Sequence, residues 1–257
     1  MNIDIPHIPE RFQKPRQSGT TMMMDKGLSV MEAEEFVKSS GEFTDFVKLG
    51  FGTALITKDL ASKLKVYRDG NVRPYFGGTL FELFYIRGLF DRYRKFISEY
   101  ELDLVEVSDG TVNIDHDKKL ECIEILSRDV QVFSEVGSKL AGVIIPVDKW
   151  VSMMKSELKS GAWKVIAEAR ESGTTGIYNP DGSANIELVT DITDNIDHQD
   201  VIWEAPIKSQ QVYFIKMLGA NVNLGNISPD EVLAMEALRL GLRGDTLMDF
   251  LPDSISK

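Results

Sequence analysis

LVEVSDG, residues 104–110, is a short β-rich apolar run that closes on acids and a glycine. Runs of the same kind recur along the chain: TTMMMDK (20–26), FVKLG (46–50), VRPYFGG (72–78), VFSEVG (132–137), KVIAEA (164–169), VIWEA (201–205) and NVNLGNI (221–227). Together they make eight candidate strands. Between them lie segments of helical period, with Ile86, Leu89, Tyr93, Phe96, Ile97 and Tyr100 on one stripe and Val147, Trp150, Val151, Met154 and Leu158 on another. The last helix carries the strongest start signal, Ser228-Pro229-Asp230-Glu231, in which serine caps, proline takes the first helical position and glutamate bonds back. Its stop is Gly241. Eight strands in this length give about 32 residues per unit, close to the roughly 30 of a βαβ crossover. The expected fold is therefore α/β, a single-domain (β/α)8 TIM barrel over residues 20–246, preceded by an extension (1–19) and followed by a tail (247–257). The rival, an open doubly wound sheet, would normally place a glycine-rich phosphate turn after its first strand, and Asp25-Lys26-Gly27 is not one.

The chain has 257 residues, 43% hydrophobic and 27% charged, enough for a substantial core. Twenty-nine basic residues against forty acidic ones give a net charge of -11, which argues against nucleic acid or an anionic membrane as partner. Cys122 is the single cysteine, so no internal disulfide can form. The longest apolar stretch, around Leu140 to Val147, falls far short of the ~18 residues of a membrane span, and MNIDIPHIPERFQKPR lacks the apolar core of a secretory signal. A cytoplasmic location is expected.

Chemistry in such a barrel is built from the carboxyl ends of the strands, and charged residues crowd those ends. Asp25 and Lys26 follow the first strand, Lys48 the second, Glu106 and Asp109 the fourth, Glu135 the fifth, Glu168 and Arg170 the sixth, Glu204 the seventh, and Asn223 and Asn226 the eighth. Burying an unpaired carboxylate costs several kcal/mol, so these acids need bases, a cation or protons. A hard divalent ion such as Mg²⁺ is one answer; a salt-bridge network with Lys26, Lys48 and Arg170 is the other. Softer metals are disfavoured, because His7, His116 and His198 lie in apparent loops and no Cys/His spacing exists. The bases at the same mouth point to an anionic ligand. Strand alternation puts Arg170 on the face of Glu168, and arginine is a natural fork for carboxylate or phosphate. The helix opening Lys208-Ser209-Gln210-Gln211 could hold phosphate or merely be capped. Met22 to Met24, Trp150, Trp163 and Cys122 fit core packing. Gly77-Gly78 suits either a tight turn or close approach of a ligand. No Ser/His/Asp or Cys/His set suggests acyl chemistry.

DKGL (25–28), FVKLGFGTA (46–54), GGTLFE (77–82), VEVSDGT (105–111), EVGSK (135–139), EARESGTTGIY (168–178), EAPIKSQQ (204–211), NVNLGNI (221–227) and LRLGLRGDT (238–246) resemble the phosphosulfolactate synthase family, from Arg16 to Thr246. The resemblance implies a (β/α)8 enzyme that adds sulfite to phosphoenolpyruvate with Mg²⁺, giving (2R)-2-phospho-3-sulfolactate on a route to coenzyme M or related sulfonates. It implies an enediolate whose charge a metal offsets, then protonation of carbon by a lysine. The family's lysine after the EVG turn corresponds to Lys139; many relatives read EVGKK where this chain has Ser138-Lys139. Under this resemblance Glu106, Asp109, Glu135 and Glu168 supply the Mg²⁺ shell, Lys26, Lys48 and Arg170 hold the anionic substrates, and Lys208, Ser209 and Gln210 help bind phosphate. Arg243 and Asp245 match the family pattern but follow the last helix and stay outside the expected site. Two alternatives stand beside this: a non-catalytic heat-stress-associated barrel of the same family, and an enzyme using phosphoenolpyruvate with another nucleophile. Retention of Arg170-Glu171-Ser172-Gly173 and of Lys208 to Gln211 favours the synthase. A homo-oligomer is expected, since an apolar helix face on a barrel commonly closes symmetrically.

Overall fold

Strand residues point alternately to opposite faces, and here both faces are apolar at mid-height, as a parallel sheet covered on one side and closed on the other requires. The structure, a computed structural model, describes residues 3–138 and 145–252. Its elements run β1 (Thr21–Asp25), α1 (Val30–Ser40), β2 (Phe46–Leu49), α2 (Leu60–Asp69), β3 (Arg73–Phe76), α3 (Gly78–Tyr85), α4 (Phe90–Glu99), β4 (Leu104–Val107) and α5 (His116–Leu126). Then follow β5 (Gln131–Val136), α6 (Val147–Lys159), β6 (Lys164–Ala167), α7 (Ile186–Asn195), β7 (Val201–Glu204), α8 (Lys208–Leu218), β8 (Leu224–Ile227) and α9 (Val232–Arg239). The strands form one parallel sheet in the order β3-β2-β1-β8-β7-β6-β5-β4. Its two ends, β3 and β4, lie side by side. This is the expected (β/α)8 barrel, with every expected strand in place.

The sheet's inner face forms its own cluster of Met22, Phe46, Tyr75, Leu104, Phe133, Ile166 and Ile202. Aromatic rings lock it from below, with Phe46 edge-on to Phe133 at 5.0 Å and Phe133 stacked on Trp163 at 5.5 Å. β8 offers no side chain here, because a Cβ on Gly225 would come within 2.9 Å of Ile202. Outward residues such as Met23, Val47, Val105, Val132, Val165 and Trp203 pack against the helices. The barrel is thus plugged at mid-height, with Lys48, Glu106, Glu135 and Glu204 gathered above the plug.

Four local expectations are corrected. Asn223 does not mark the carboxyl end of the eighth strand: it precedes β8, accepts from Thr20 and donates to the Val201 carbonyl at the amino ends of β1 and β7. The Ile86–Tyr100 stripe is not one helix: α3 ends at Tyr85, the chain turns through Gly88 (φ 67°), and α4 begins at Phe90. Ile86 and Leu89 are consequently exposed, whereas Tyr93 and Ile97 are buried. Ser228 does not cap a backbone N–H; its hydroxyl meets the Asp230 carboxylate, residues 229–231 form a 3-10 turn, and α9 starts at Val232. His116 opens α5 rather than lying in a loop, with its Nε2 2.9 Å from Ser156 Oγ.

At the amino end of the barrel, arginines replace the missing chemistry with locks. Arg239 is fully buried and donates to the carbonyls of Ala220, Val222 and Thr20, tying α9 to the starts of β8 and β1. Arg11 bonds Glu236 at 2.8 Å, and Arg16 bonds Asp45 at 3.1 Å, so the N-terminal segment straps this end.

Candidate active site

Directly above the apolar plug, the next inward residues of β2, β4, β5 and β7 are charged. Lys48 of β2 is buried, and its Nζ lies 2.9 Å from Glu106 of β4, 3.0 Å from Glu135 of β5 and 3.5 Å from Glu204 of β7. Burial alone would lower the Lys48 pKa; the surrounding Glu106, Glu135 and Glu204 overcome this and hold it well above the ordinary value. Beside it the buried Tyr75 hydroxyl is driven well above its usual pKa, first by burial and then by Glu106, so it stays a neutral phenol.

Glu106 is fixed from behind by α3. The Gly78 N–H donates to Glu106 Oε1 at 2.6 Å, which places the carboxylate at the positive end of that helix. A Cβ on Gly78 would sit 2.7 Å from the same oxygen, so the glycine is required by this approach. Glu204 accepts from the Ala169 N–H at 2.9 Å, and Asn226, at φ 57°, donates to the Ala169 carbonyl at 3.0 Å. These bonds join the ends of β6, β7 and β8.

Over this layer opens a cavity of about 470 Å³, whose walls include Lys48, Glu135, Glu204, Asn226, Gly78 and Arg170. It lies at the carboxyl ends of the strands. A larger cavity of about 810 Å³ lies elsewhere, between α4 and α5, where Leu102 and Asp103 enter β4 and Asp129 and Val130 enter β5. It belongs to the amino face, away from the convergent charges.

Of the residues expected from sequence, Lys48, Glu106 and Glu135 meet directly, and Arg170 faces the same cavity from the β6–α7 loop. Glu168 is fully buried at the end of β6, under Gly137 and Gly176. Asp109 is drawn outward, its carboxylate 2.8 Å from Lys119 of α5. Lys26 is half-exposed at the rim and pairs with Glu171, which itself lines the cavity. Lys208 pairs with Asp245 at 3.0 Å and Ser209 is exposed beside it; neither is among the described residues that wall the cavity. Gln210 is buried, and its amide bonds the carbonyls of Gly173 and Gly182. Lys139 lies outside the described residues.

Two buried lysines behind the strands were not anticipated. Lys63 of α2 reaches Asp25 at 2.6 Å, and Tyr67 donates to the same carboxylate at 2.8 Å. Asp25 also accepts from the N–H groups of Gly27 and Leu28, which shapes the turn presenting Lys26. Lys119 donates to Asp109 and to the Glu135 carbonyl at 2.7 Å, and its ammonium pairs with Glu157 of α6 at 2.9 Å. Burial lowers the Lys119 pKa, but Glu157 and Asp109 more than reverse the effect.

A parallel barrel whose acids and lysines converge at one rim belongs to the broad class of (β/α)8 enzymes. The comparisons place it more closely. A profile of the (2R)-phospho-3-sulfolactate synthase (ComA) family matches residues 9–245, and the chain belongs to that family. It is 40% identical over 245 residues to the phosphosulfolactate synthase of Methanothermobacter thermautotrophicus, covering 93% of this chain and 95% of that protein. It is 37% identical over 242 residues to the phosphosulfolactate synthase of Bacillus subtilis, covering 93% and 96%. Among solved structures, 3-hexulose-6-phosphate synthase from Salmonella typhimurium superposes with a TM-score of 0.58 at 12% identity, over 87% of this chain and all of that one. A 2,3-dimethylmalate lyase of the PEP mutase/isocitrate lyase superfamily gives 0.52 at 12% identity, over 91% and 85%. These last two likenesses concern the fold alone. Among the described residues no helix is long and apolar enough to cross a membrane.

Proposed function

We propose that the chain adds sulfite to phosphoenolpyruvate, giving (2R)-2-phospho-3-sulfolactate, in the cavity above Lys48 and with Mg²⁺ as cofactor. The observation that carries this reading is the convergence of Glu106, Glu135 and Glu204 on one buried lysine at the mouth of a barrel of this family. Sulfur attacks the methylene carbon to form the C–S bond, the double-bond electrons move toward the substrate carboxylate, and a proton then closes the neighbouring carbon. No group leaves.

The donor set suits a hard cation, since the cavity wall is rich in carboxylate oxygen. Among the described residues no three His, Cys, Asp or Glu side chains form a ready-made cage. Mg²⁺ needs none, because it commonly takes one or two carboxylates and keeps several waters. Glu135 and Glu204 would hold it from the wall, with Glu106 and Glu168 behind them, whereas Asp109 would first have to release Lys119. When bound, the ion would supply positive charge against the charge that develops on the substrate carboxylate.

The chain's own groups do the rest. Lys48 stays protonated and keeps the carboxylates together. Arg170 offers its planar fork to the phosphate or carboxylate, and Lys26 adds positive charge at the rim. Lys139 is the proposed proton donor. The decisive assay incubates purified protein with phosphoenolpyruvate, sulfite and Mg²⁺ and follows loss of the enol absorbance. Turnover that requires all three supports the reading; a folded, metal-replete protein that consumes no phosphoenolpyruvate with sulfite rejects it. Lys139→Ala is expected to retain phosphoenolpyruvate binding and lose turnover, and turnover like the wild type would remove the lysine from its role.

A further inference from the structure

The segment between β6 and α7, residues 168–185, forms one wall of the cavity and is held together by bonds that meet at a single side chain. The Gly173 N–H donates to the Arg170 carbonyl at 2.8 Å, closing the turn that carries Arg170, Glu171 and Ser172. The Gly173 carbonyl in turn accepts from Gln210 Nε2 at 2.8 Å, and the same nitrogen donates to the Gly182 carbonyl at 3.1 Å. Both amide protons of Gln210 are thus spent on the two arms of one loop. Its Oε1 accepts from the Ile207 N–H at 3.4 Å, which seats the side chain on the first turn of α8. Gln210 is 2% exposed, and a Cβ on Gly173 (φ 64°) would fall 2.5 Å from its Nε2. The loop therefore needs glycine there both for its backbone conformation and for the clamp. On the far arm the Tyr178 hydroxyl donates to the Glu204 carbonyl at 2.6 Å, so the loop is also pinned to the strand end that carries a cavity carboxylate.

We propose that Gln210 is a positioning residue for the reaction: its amide clamps the 168–185 loop in the arrangement that points Arg170 into the cavity, and it acts on the anionic substrate only through that arginine. The proposal rests on the reading that Arg170 binds phosphoenolpyruvate. It gives a buried, doubly donating amide a task that α8 alone does not require, since a helix start needs an acceptor at this position and not two donors.

The test combines steady-state kinetics with amide hydrogen exchange on the intact protein. Gln210→Met keeps the length and removes both donors; Gln210→Glu keeps the acceptor and sets a carboxylate against two carbonyls. Each is expected to raise the KM for phosphoenolpyruvate about tenfold, with a much smaller change in kcat, and to speed exchange of amides 170–183 without ligand. In an Arg170→Ala background the same Gln210→Met change should raise KM no further, because its effect passes through the arginine. A KM increase that adds fully to that of Arg170→Ala would instead make Gln210 a direct ligand and overturn the proposal. So would unchanged KM and unchanged loop exchange in both Gln210 variants. If the wild type consumes no phosphoenolpyruvate with sulfite while Gln210→Met still frees the loop, the assigned reaction fails and the clamp survives, so the two failures are distinguishable.

Discussion

Lys48 is the residue on which the site's electrostatics turn. Its ammonium stands in the apolar throat of a barrel with three carboxylates within 3.5 Å, and removing one partner of a buried ion pair typically costs 3–5 kcal/mol because the other charge stays buried. Lys48→Met should therefore lower unfolding stability by about that amount and abolish turnover, as read by urea denaturation and the phosphoenolpyruvate assay. The pH dependence has a definite sign. The folded pKa lies above the unfolded lysine value of 10.5, so the stabilisation is complete below about pH 10.5 and is lost as pH rises toward the folded value. Between pH 6 and 9 this lysine should add no slope to stability, while the alkaline limb of the wild-type curve should flatten in Lys48→Met. That these charges lie at strand ends follows from the sequence runs alone. That Glu204 shares the same ammonium does not, because spacing along the chain tells which residues reach the rim and not which of them meet across it. Gln210 shows the same limit: its place on the first turn of a helix is legible, but the carbonyls its amide binds lie 28 and 37 residues away.

At the scale of elements, α2 and α5 carry the same device. Leu60, Lys63, Leu64 and Tyr67 are buried on α2, and Lys119, Cys122, Ile123 and Leu126 on α5, so each lysine occupies the first or second place of an i, i+3, i+4, i+7 stripe that ought to be apolar. Glu157 sits likewise among Trp150, Val151 and Met154 on α6. A charge in a core stripe is a signal that could have been found in the sequence, whereas its partner could not. Of the partners, Asp25 accepts from the N–H groups of the turn after β1, and Asp109 ties the segment after β4 to Lys119, so these helices hold the rim from behind. Lys119→Met should cost about 3–5 kcal/mol, chiefly because Glu157, whose pKa burial already raises, is left in the core without its counter-charge and must take up a proton or stay unpaired. Adding Glu157→Met should restore at least half of that loss in urea melts, since Asp109 can turn to solvent. A double variant no more stable than Lys119→Met would refute this account of the pair. The break between α3 and α4 was missed for a related reason: the apolar period runs across Gly88, and periodicity does not register a left-handed residue that turns the chain.

Over the whole molecule, the apolar plug divides two kinds of polar chemistry. Above it, acids and lysines converge on a cavity; below it, Arg11, Arg16 and Arg239 bind carbonyls and carboxylates that fasten the N-terminal segment, β1, β8 and α9 together. Arg11→Ala should thus lower unfolding stability by about 3 kcal/mol by breaking its pair with Glu236, yet leave kcat/KM of the folded enzyme unchanged, because the mouth lies at the other end. A loss of specific activity with full stability would contradict that division. The barrel itself was legible because eight β-rich runs alternate with helical segments at about the spacing of βαβ units, and Asp25-Lys26-Gly27 is not the glycine-rich turn that an open doubly wound sheet would place after its first strand.

The most direct measurement compares wild type with Glu135→Gln at equal folded concentration, following formation of phosphosulfolactate from phosphoenolpyruvate, sulfite and Mg²⁺ by phosphorus NMR. The neutral amide keeps the shape of the wall but removes its charge, so the wild type should form product and the variant should be slower by about a hundredfold or more. Equal rates in the two proteins would mean that the reaction does not take place over Lys48.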